Sequence, residues 1–162
     1  MAIRVAVIGT GVMGTDHAKI IATQIPGAVL RVVCDADEGR ARAVANDTGA
    51  AHVATDGEAF KVGKATVKAI HTPGHTMEST TYLVIDEDGK EHGIITGDPL
   101  FMGDVGRPDL AQHVIADLTE EKLAGHLFDS LRNKIMPLSD HLIVYPNHGA
   151  GSACGKNMSK ET

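Results

Sequence analysis

The sequence predicts an α/β chain in two parts: a glycine-loop β-α-β unit over residues 1–55 and a second, strand-bearing unit over residues 56–162. Three observations predict it. A short apolar run leads directly into Gly9-Thr10-Gly11-Val12-Met13-Gly14. Alternating apolar runs separated by Gly/Pro/Asp turns occupy the later part. Two of those turns carry histidine, His71-Thr72-Pro73-Gly74-His75-Thr76 and Pro146-Asn147-His148-Gly149, and a third places an aspartate behind a hydrophobic run, Gly97-Asp98.

In the first part, residues 3–8 (Ile-Arg-Val-Ala-Val-Ile) are rich in β-branched side chains, which suits a buried central strand. Gly9 permits a tight turn, Gly11 lets backbone approach a pyrophosphate, and Gly14 allows a helix to pack closely on the strand. The helix expected over residues 12–25 has Ala18, Ile21, Ala22 and Ile25 on one stripe, and Pro26-Gly27 stops it. A second strand over residues 29–34 ends at Asp35, 21 residues after Gly14, the place of a ribose-binding carboxylate. The other reading of the same residues has the glycines packing only, with Asp35 as a helix cap for residues 38–47. A third strand is expected at 52–54.

In the second part, Glu58 to Gly63 leads through a turn into a strand over residues 66–70, with Val67 and Ala69 on one face. Residues 80–85 and 93–96 are strands joined by the acidic hairpin turn Asp86-Glu87-Asp88-Gly89-Lys90. Thr119 is a good N-cap, followed by Glu120 and Glu121 in a first turn and by a core face of Leu123, Leu127 and Leu131 with Phe128 beside it. Pro137 ends that helix. Residues 141–145 form the last strand, and the tail from residue 152 is polar.

Composition narrows the function. The net charge is −6, and it divides into −1 over residues 1–57 (five basic, six acidic) and −5 over residues 58–162 (ten basic, fifteen acidic). With no basic cluster, no Trp, three Phe and two Tyr, nucleic-acid binding is disfavoured, because phosphate neutralisation and base stacking have no residues to perform them. Cys34 falls in a strand and Cys154 in the polar tail, with no CxxC between them; they read as cytosolic thiols. No signal peptide or apolar span is expected, which predicts a cytoplasmic protein without a membrane partner.

His75, Asp98 and His148 are the candidate metal ligands: imidazole and carboxylate groups on strand ends, each aimed by a Gly/Pro turn, suit Zn or Fe(II). His71 is a neighbour more suited to packing. Gly9, Gly11, Gly14 and Asp35 are the candidate nucleotide contacts, which makes NAD(P) a second cofactor.

Two resemblances sharpen these expectations. The runs "RVAVIGTGVMGTDHAKI" and "LRVVCDADEGRARAVANDTGA" resemble the N-terminus of inositol-dehydrogenase-like NAD(P)-dependent oxidoreductases. "HTPGHTMEST", "GIITGDPLFMGDVGRPDL" and "YPNHGAGSACGKNMSKET" resemble the C-terminal half of metallo-β-lactamase-fold persulfide dioxygenases. Together they imply a chimera: a partial Rossmann-like βαβ unit joined to half of a metallo-β-lactamase-type αββα sandwich, with the seam between residues 49 and 60.

The second resemblance implies that His75 and Asp98 hold metal, that His148 supports a second metal in dinuclear relatives, and that Arg107 lies near a thiol substrate such as glutathione persulfide. Asp98 and Arg107 are then the catalytic candidates. The implied activity is an iron-dependent sulfur dioxygenase or a metal-dependent thiol-ester hydrolase. That family's His-x-His-x-Asp-His string, which supplies the first iron histidine, does not occur in these 162 residues. Pro99 and Asn147 also depart from the family's threonine and glycine. The reading is therefore a metal-binding protein with an incomplete site and little or no catalysis; the alternatives are an NAD(P)-binding oxidoreductase-like fragment and a non-catalytic folded chimera. Half a sandwich would expose the sheet face meant for its partner, a face that a homodimer would bury.

Overall fold

The computed structural model describes residues 2–35, 37–55, 58–112, 117–149 and 152–155. The chain divides into two compact units, Met1–Glu58 and Ala59–Thr162. The seam expected between residues 49 and 60 includes residues 56 and 57, outside the described residues, as is the polar tail beyond residue 155.

The first unit runs β1 (Ile3–Ile8), α1 (Val12–Gln24), β2 (Ala28–Cys34), α2 (Glu38–Thr48) and β3 (His52–Ala54). Its sheet is parallel throughout, in the order β1-β2-β3. Two crossovers stepping in one direction place both helices on the same face, and α1 and α2 accordingly pack on each other and on β2. Val7, Ala18, Leu30, Val33, Ala41, Val44 and Ala45 form the core there. Each large aliphatic side chain among them contributes roughly 1.5–3 kcal/mol by leaving water.

Two expectations fail in this unit for packing reasons. β1 is not a central strand: among the described residues nothing pairs on its far side, and Ile3 is 71% exposed. The strands that would flank it in a full doubly wound sheet belong to the second half of such a domain, which is not part of this unit. Ile25 drops out of the helix stripe, because it is the extended residue after α1 and stays exposed.

The second unit runs β4 (Ala59–Val62), β5 (Ala65–His71), β6 (Thr80–Ile85), β7 (Glu91–Gly97), β8 (Leu100–Phe101), β9 (Asp104–Val105), a 3₁₀ turn (Pro108–Ala111), α3 (Glu120–Ser130), a π-helical turn (Leu131–Ile135) and β10 (Ile143–Pro146). Five strands form one sheet in the order β10-β7-β6-β5-β4, with β10 parallel to β7 and the other pairs antiparallel; β8 and β9 form a small hairpin. The hairpin turn between β6 and β7 is an Asx turn, with the Asp86 carboxylate accepting from the Asp88 and Lys90 amides at 3.0 and 2.9 Å. β4, read from sequence only as a lead-in, pairs with β5 from Ala59–Lys68 to Val62–Ala65 as an edge strand.

The two faces of this sheet differ. Leu83 and Ile94 are buried with Ile135, and Ile70, Ile85, Leu131 and Val144 pack against them. Following the alternation and register, the opposite face carries Phe60, Val67, Ala69, Tyr82, Val84, Ile95 and Tyr145. Ile95 and Tyr145, cross-strand neighbours on that face, remain 42% and 44% exposed. This is the half-open face expected of one sheet from a sandwich.

α3 starts as the sequence predicts, with the Thr119 hydroxyl accepting from the Lys122 amide at 3.3 Å and Leu123 and Leu127 buried. Phe128, expected beside that core face, is 64% exposed and stacks under the Arg132 guanidinium instead. Leu131 does not extend the α-helix: it opens the π-helical turn, which closes with the Met136 amide on its carbonyl at 2.8 Å. The last strand begins two residues later than expected, since Leu142 is held in a turn by the Ser139 carbonyl. Among the described residues no helix is long and apolar enough to cross a membrane.

Candidate functional site

The loop from Thr72 to Ser79 delivers His75. Its ends are joined by the Thr72 amide on the Ser79 carbonyl at 2.8 Å, and its tip is closed by the Gly74 amide on the Thr76 carbonyl at 2.9 Å. Below it, the buried hydroxyls of Thr72 and Thr81 meet at 3.1 Å. Ser130 of α3 donates to the Pro73 carbonyl at 2.8 Å, so the loop is pinned from the helix side as well. Asp98 follows β7, where Gly97 adopts φ 64° and turns the chain. His148 follows β10, and the Asn147 amide ties that loop to the Gly97 carbonyl at 3.3 Å. Pro99 lacks an N–H but its carbonyl accepts from Gly106 at 3.2 Å, which fixes the exit from Asp98.

These loops bring three predicted residues together. His75 Nε2 lies 3.5 Å from Asp98 Oδ2, and His148 Nε2 lies 3.2 Å from Asp98 Oδ1. His75 Nδ1 donates to the Arg107 carbonyl at 3.1 Å, which leaves Nε2 as the lone-pair nitrogen of the neutral ring. A lone pair then faces a carboxylate oxygen: two acceptors that only a proton or a cation between them can reconcile. Asp98 Oδ1 is buried with no aligned hydrogen-bond donor among the described residues, although His148 Nε2 is within ion-pair distance. A nine-tenths-buried imidazole whose Nε2 faces a carboxylate oxygen fits a cation. His148 is 42% exposed and leans on Phe101 with ring centroids 6.2 Å apart.

Cys154 is the residue that sequence reasoning missed. Its Sγ, His75 and Asp98 offer ligand atoms that all lie within 4.8 Å of one another, and this is the one such trio among the described residues. The Arg107 amide donates to the Cys154 carbonyl at 2.9 Å and the Arg107 guanidinium to the Ala153 carbonyl at 3.2 Å. One residue thus braces His75 with its carbonyl and Cys154 with its amide. A solitary cysteine without a CxxC partner carries no local signal of this.

Arg107 is also bound through two nitrogens by the Asp109 carboxylate, which holds its pKa above the ordinary guanidinium value. His71 takes the packing place: its ring donates to the Met77 carbonyl at 2.7 Å, and its own carbonyl accepts from Lys134 at 2.5 Å.

In the first unit, Gly9 has φ 86° and Gly14 sits directly against the Gly9 carbonyl. Gly11 caps α1 with no side-chain bond to the helix amides, and no acidic residue occupies the first turn, so the positive end of α1 is open. Asp35 neither caps α2 nor presents free oxygens. The α2 cap is Asp37, whose carboxylate accepts from the Arg40 amide at 3.0 Å. Asp35 is 5% exposed, and its Oδ2 accepts from the Thr10 amide and hydroxyl at 2.6 and 2.7 Å. Its Oδ1 accepts from the Asp37 amide at 2.8 Å and the Arg40 guanidinium at 3.1 Å. It laces the glycine loop to the end of β2.

Burial pushes the Asp35 carboxyl up, but the Asp37 and Thr10 hydrogen bonds and the Arg40 charge outweigh it and hold the carboxyl below its usual value of 3.8. A depressed folded-state value means that its stabilisation is complete above the unfolded value, near pH 4, and is lost as pH falls through the lower folded value. Urea unfolding should therefore show the unit containing Asp35 weakening from about pH 4 downward, with a flatter acid limb in Asp35→Asn. An unchanged acid limb in that variant assigns the effect to other carboxylates.

Two kinds of known protein match this chain, over overlapping spans. The model of the oxidoreductase family with an NAD-binding Rossmann fold matches residues 3–94. An inositol 2-dehydrogenase of Saccharopolyspora erythraea is 42% identical over 88 residues, covering 53% of this chain and 26% of that protein. Among solved structures, a metallo-beta-lactamase from Staphylococcus aureus subsp. aureus COL superposes with a TM-score of 0.61 at 27% identity, covering 96% of this chain and 51% of that one. The ETHE1 protein of Myxococcus xanthus superposes with a TM-score of 0.52 at 21% identity, covering 94% of this chain and 68% of that one, a likeness of fold.

The chain thus spans about a quarter of that dehydrogenase and half of the Staphylococcus aureus structure. The family match runs on into β4–β7, whereas the parallel sheet ends at Ala54. The chain belongs to the oxidoreductase family with an NAD-binding Rossmann fold, and, with a C-terminal unit homologous to metallo-beta-lactamase-fold proteins, it has the make-up of a two-part chimera.

Proposed function

We propose that residues 59–162 act as a metal-binding unit of the persulfide dioxygenase type whose site is incomplete and turns over little or nothing. The observation that supports this most is the half-buried Asp98 carboxylate, with Oδ2 facing the His75 lone pair at 3.5 Å and Oδ1 beside His148 Nε2 at 3.2 Å. His75 and Asp98 hold the ion, and His148 borders it on the other carboxylate oxygen. A divalent Fe or Zn ion, when held there, would supply Lewis-acid chemistry toward a thiol substrate. Arg107, pre-oriented by Asp109, offers its guanidinium to a small anionic thiol such as glutathione persulfide.

Elemental analysis for Fe and Zn after anaerobic gel filtration tests this. Near-stoichiometric metal is expected in the parent and in Arg107→Ala, with a fall to background in His75→Ala and Asp98→Ala. Arg107→Ala should weaken thiol binding alone. Equal metal content in the parent and all three variants would rule the assignment out.

A second reading has its own observation: the open, uncapped N-terminus of α1 behind Gly9 and Gly11 suits a pyrophosphate. It favours NAD(P) binding by the first unit, but not hydride transfer, since the three-stranded sheet offers one mononucleotide half. Saturable NAD titration with a metal-free sample would support it, and no heat of binding would dismiss it.

A further inference from the structure

The trio His75, Asp98 and Cys154 is not the ligand set that the resemblance implies, and its chemistry differs. Two histidines and a carboxylate with open positions make a site for Fe(II); adding a thiolate shifts the preference toward Zn(II), a softer partner that also lies later in the affinity order of divalent metals. His148 is the alternative third ligand, but it stands on Oδ1, away from the His75 side of the carboxylate, and is 42% exposed. Cys154 stands with His75 and Asp98 in one cluster. The 3.5 Å between His75 Nε2 and Asp98 Oδ2 matches the roughly 3.4 Å between two ligands of a tetrahedral zinc, from bonds of about 2.0–2.2 Å.

A further observation points to a ligand here. His75, with its side chain 10% exposed, is held through Nδ1 by the Arg107 carbonyl, so that Nε2 faces Asp98 Oδ2. Cys154 is carried there by main-chain bonds: its carbonyl accepts from the Arg107 amide at 2.9 Å, and its amide donates to the Ser152 hydroxyl at 3.1 Å. The Arg107 guanidinium donates to the neighbouring Ala153 carbonyl at 3.2 Å, a further tie on the same segment.

Resting on the metal-binding reading above, we propose that Cys154 is the third protein ligand of this site, replacing the absent histidine and making it a zinc centre in preference to an iron one. Binding converts the Cys154 thiol to a metal-bound thiolate, and the proton leaves to solvent, one per ion bound. No oxidant or reductant takes part. The arrangement leaves one tetrahedral position for water or a ligand.

Cobalt(II) substitution of the full chain reads the sulfur directly. The parent is expected to bind one Co(II) with an intense sulfur-to-cobalt charge-transfer band in the near ultraviolet, to release one proton per ion, and to exchange Co(II) for Zn(II) far more readily than for Fe(II). Cys154→Ser should lose the band and bind Zn(II) more weakly by more than the ~10–100-fold typical of losing an outer-shell partner. Its main-chain bonds to Arg107 and Ser152 persist, so circular dichroism should match the parent. Zn(II) should also protect Cys154 from iodoacetamide in the parent, with buried Cys34 as an internal control.

Stoichiometric Co(II) without the charge-transfer band, with affinity unchanged in Cys154→Ser, would overturn the ligand assignment and leave the metal-binding reading standing. No Co(II) or Zn(II) binding by the parent would overturn both.

Discussion

Gly74→Ala is expected to destabilise the C-terminal unit by about 3 kcal/mol or more, from overpacking and backbone strain together. Gly74 has φ 143°, outside the range of ordinary L-residues, and a Cβ there would fall on the Leu127 main chain of α3, well inside 3.0 Å. Backbone cannot swing aside as a flexible side chain can. The loop must therefore lift from α3, breaking the Ser130 bond to Pro73 and carrying His75 away from Asp98. Both tyrosines, Tyr82 and Tyr145, lie in this unit, so tyrosine emission during urea unfolding isolates its transition. A midpoint equal to the parent's would show that α3 does not clamp this loop.

Gly14→Ala should open the first unit by a comparable amount. A Cβ on Gly14 would lie against the Gly9 carbonyl, again well inside 3.0 Å, where α1 meets the end of β1. Alanine is the better helix former by ~1 kcal/mol, which opposes the clash. Overpacking against rigid backbone costs at the upper end of ~1–3 kcal/mol or beyond, so the clash wins. Cys34 is buried in β2 and reports the opening. In a Cys154→Ser background its thiol-labelling rate should rise by about 100-fold, the equivalent of roughly 3 kcal/mol. A slower rate than the parent's would mean that helix propensity dominates and that the contact is loose.

These two glycines also separate what could be read in the sequence from what could not. Gly14 announces itself by its offset from Gly9 and Gly11 after an apolar run, so its close packing is legible in one dimension. Gly74 also reads as a turn, but its opposition to Leu127, 53 positions away, does not. Asp35 shows the same limit. Its position at the end of β2 is legible, yet its capture by Thr10, Asp37 and Arg40 depends on how the glycine loop folds back. Phe128 continued an apolar helix stripe, and only the packing of α3 turned it toward Arg132.

The sequence by itself determined the local elements: the β6–β7 hairpin with its Asp86 turn, the Thr119-capped α3, the glycine loop, and the turns that bear His75, Asp98 and His148. Each rests on hydrogen bonds and periodicities spanning a few residues. Only the tertiary structure decided that β1 is an edge strand, that Ile95 and Tyr145 lie on a half-open face, and that Cys154 joins His75 and Asp98. These depend on pairings between distant strands and on main-chain bonds such as Arg107 to Cys154, 47 positions apart, whose geometry no local pattern carries.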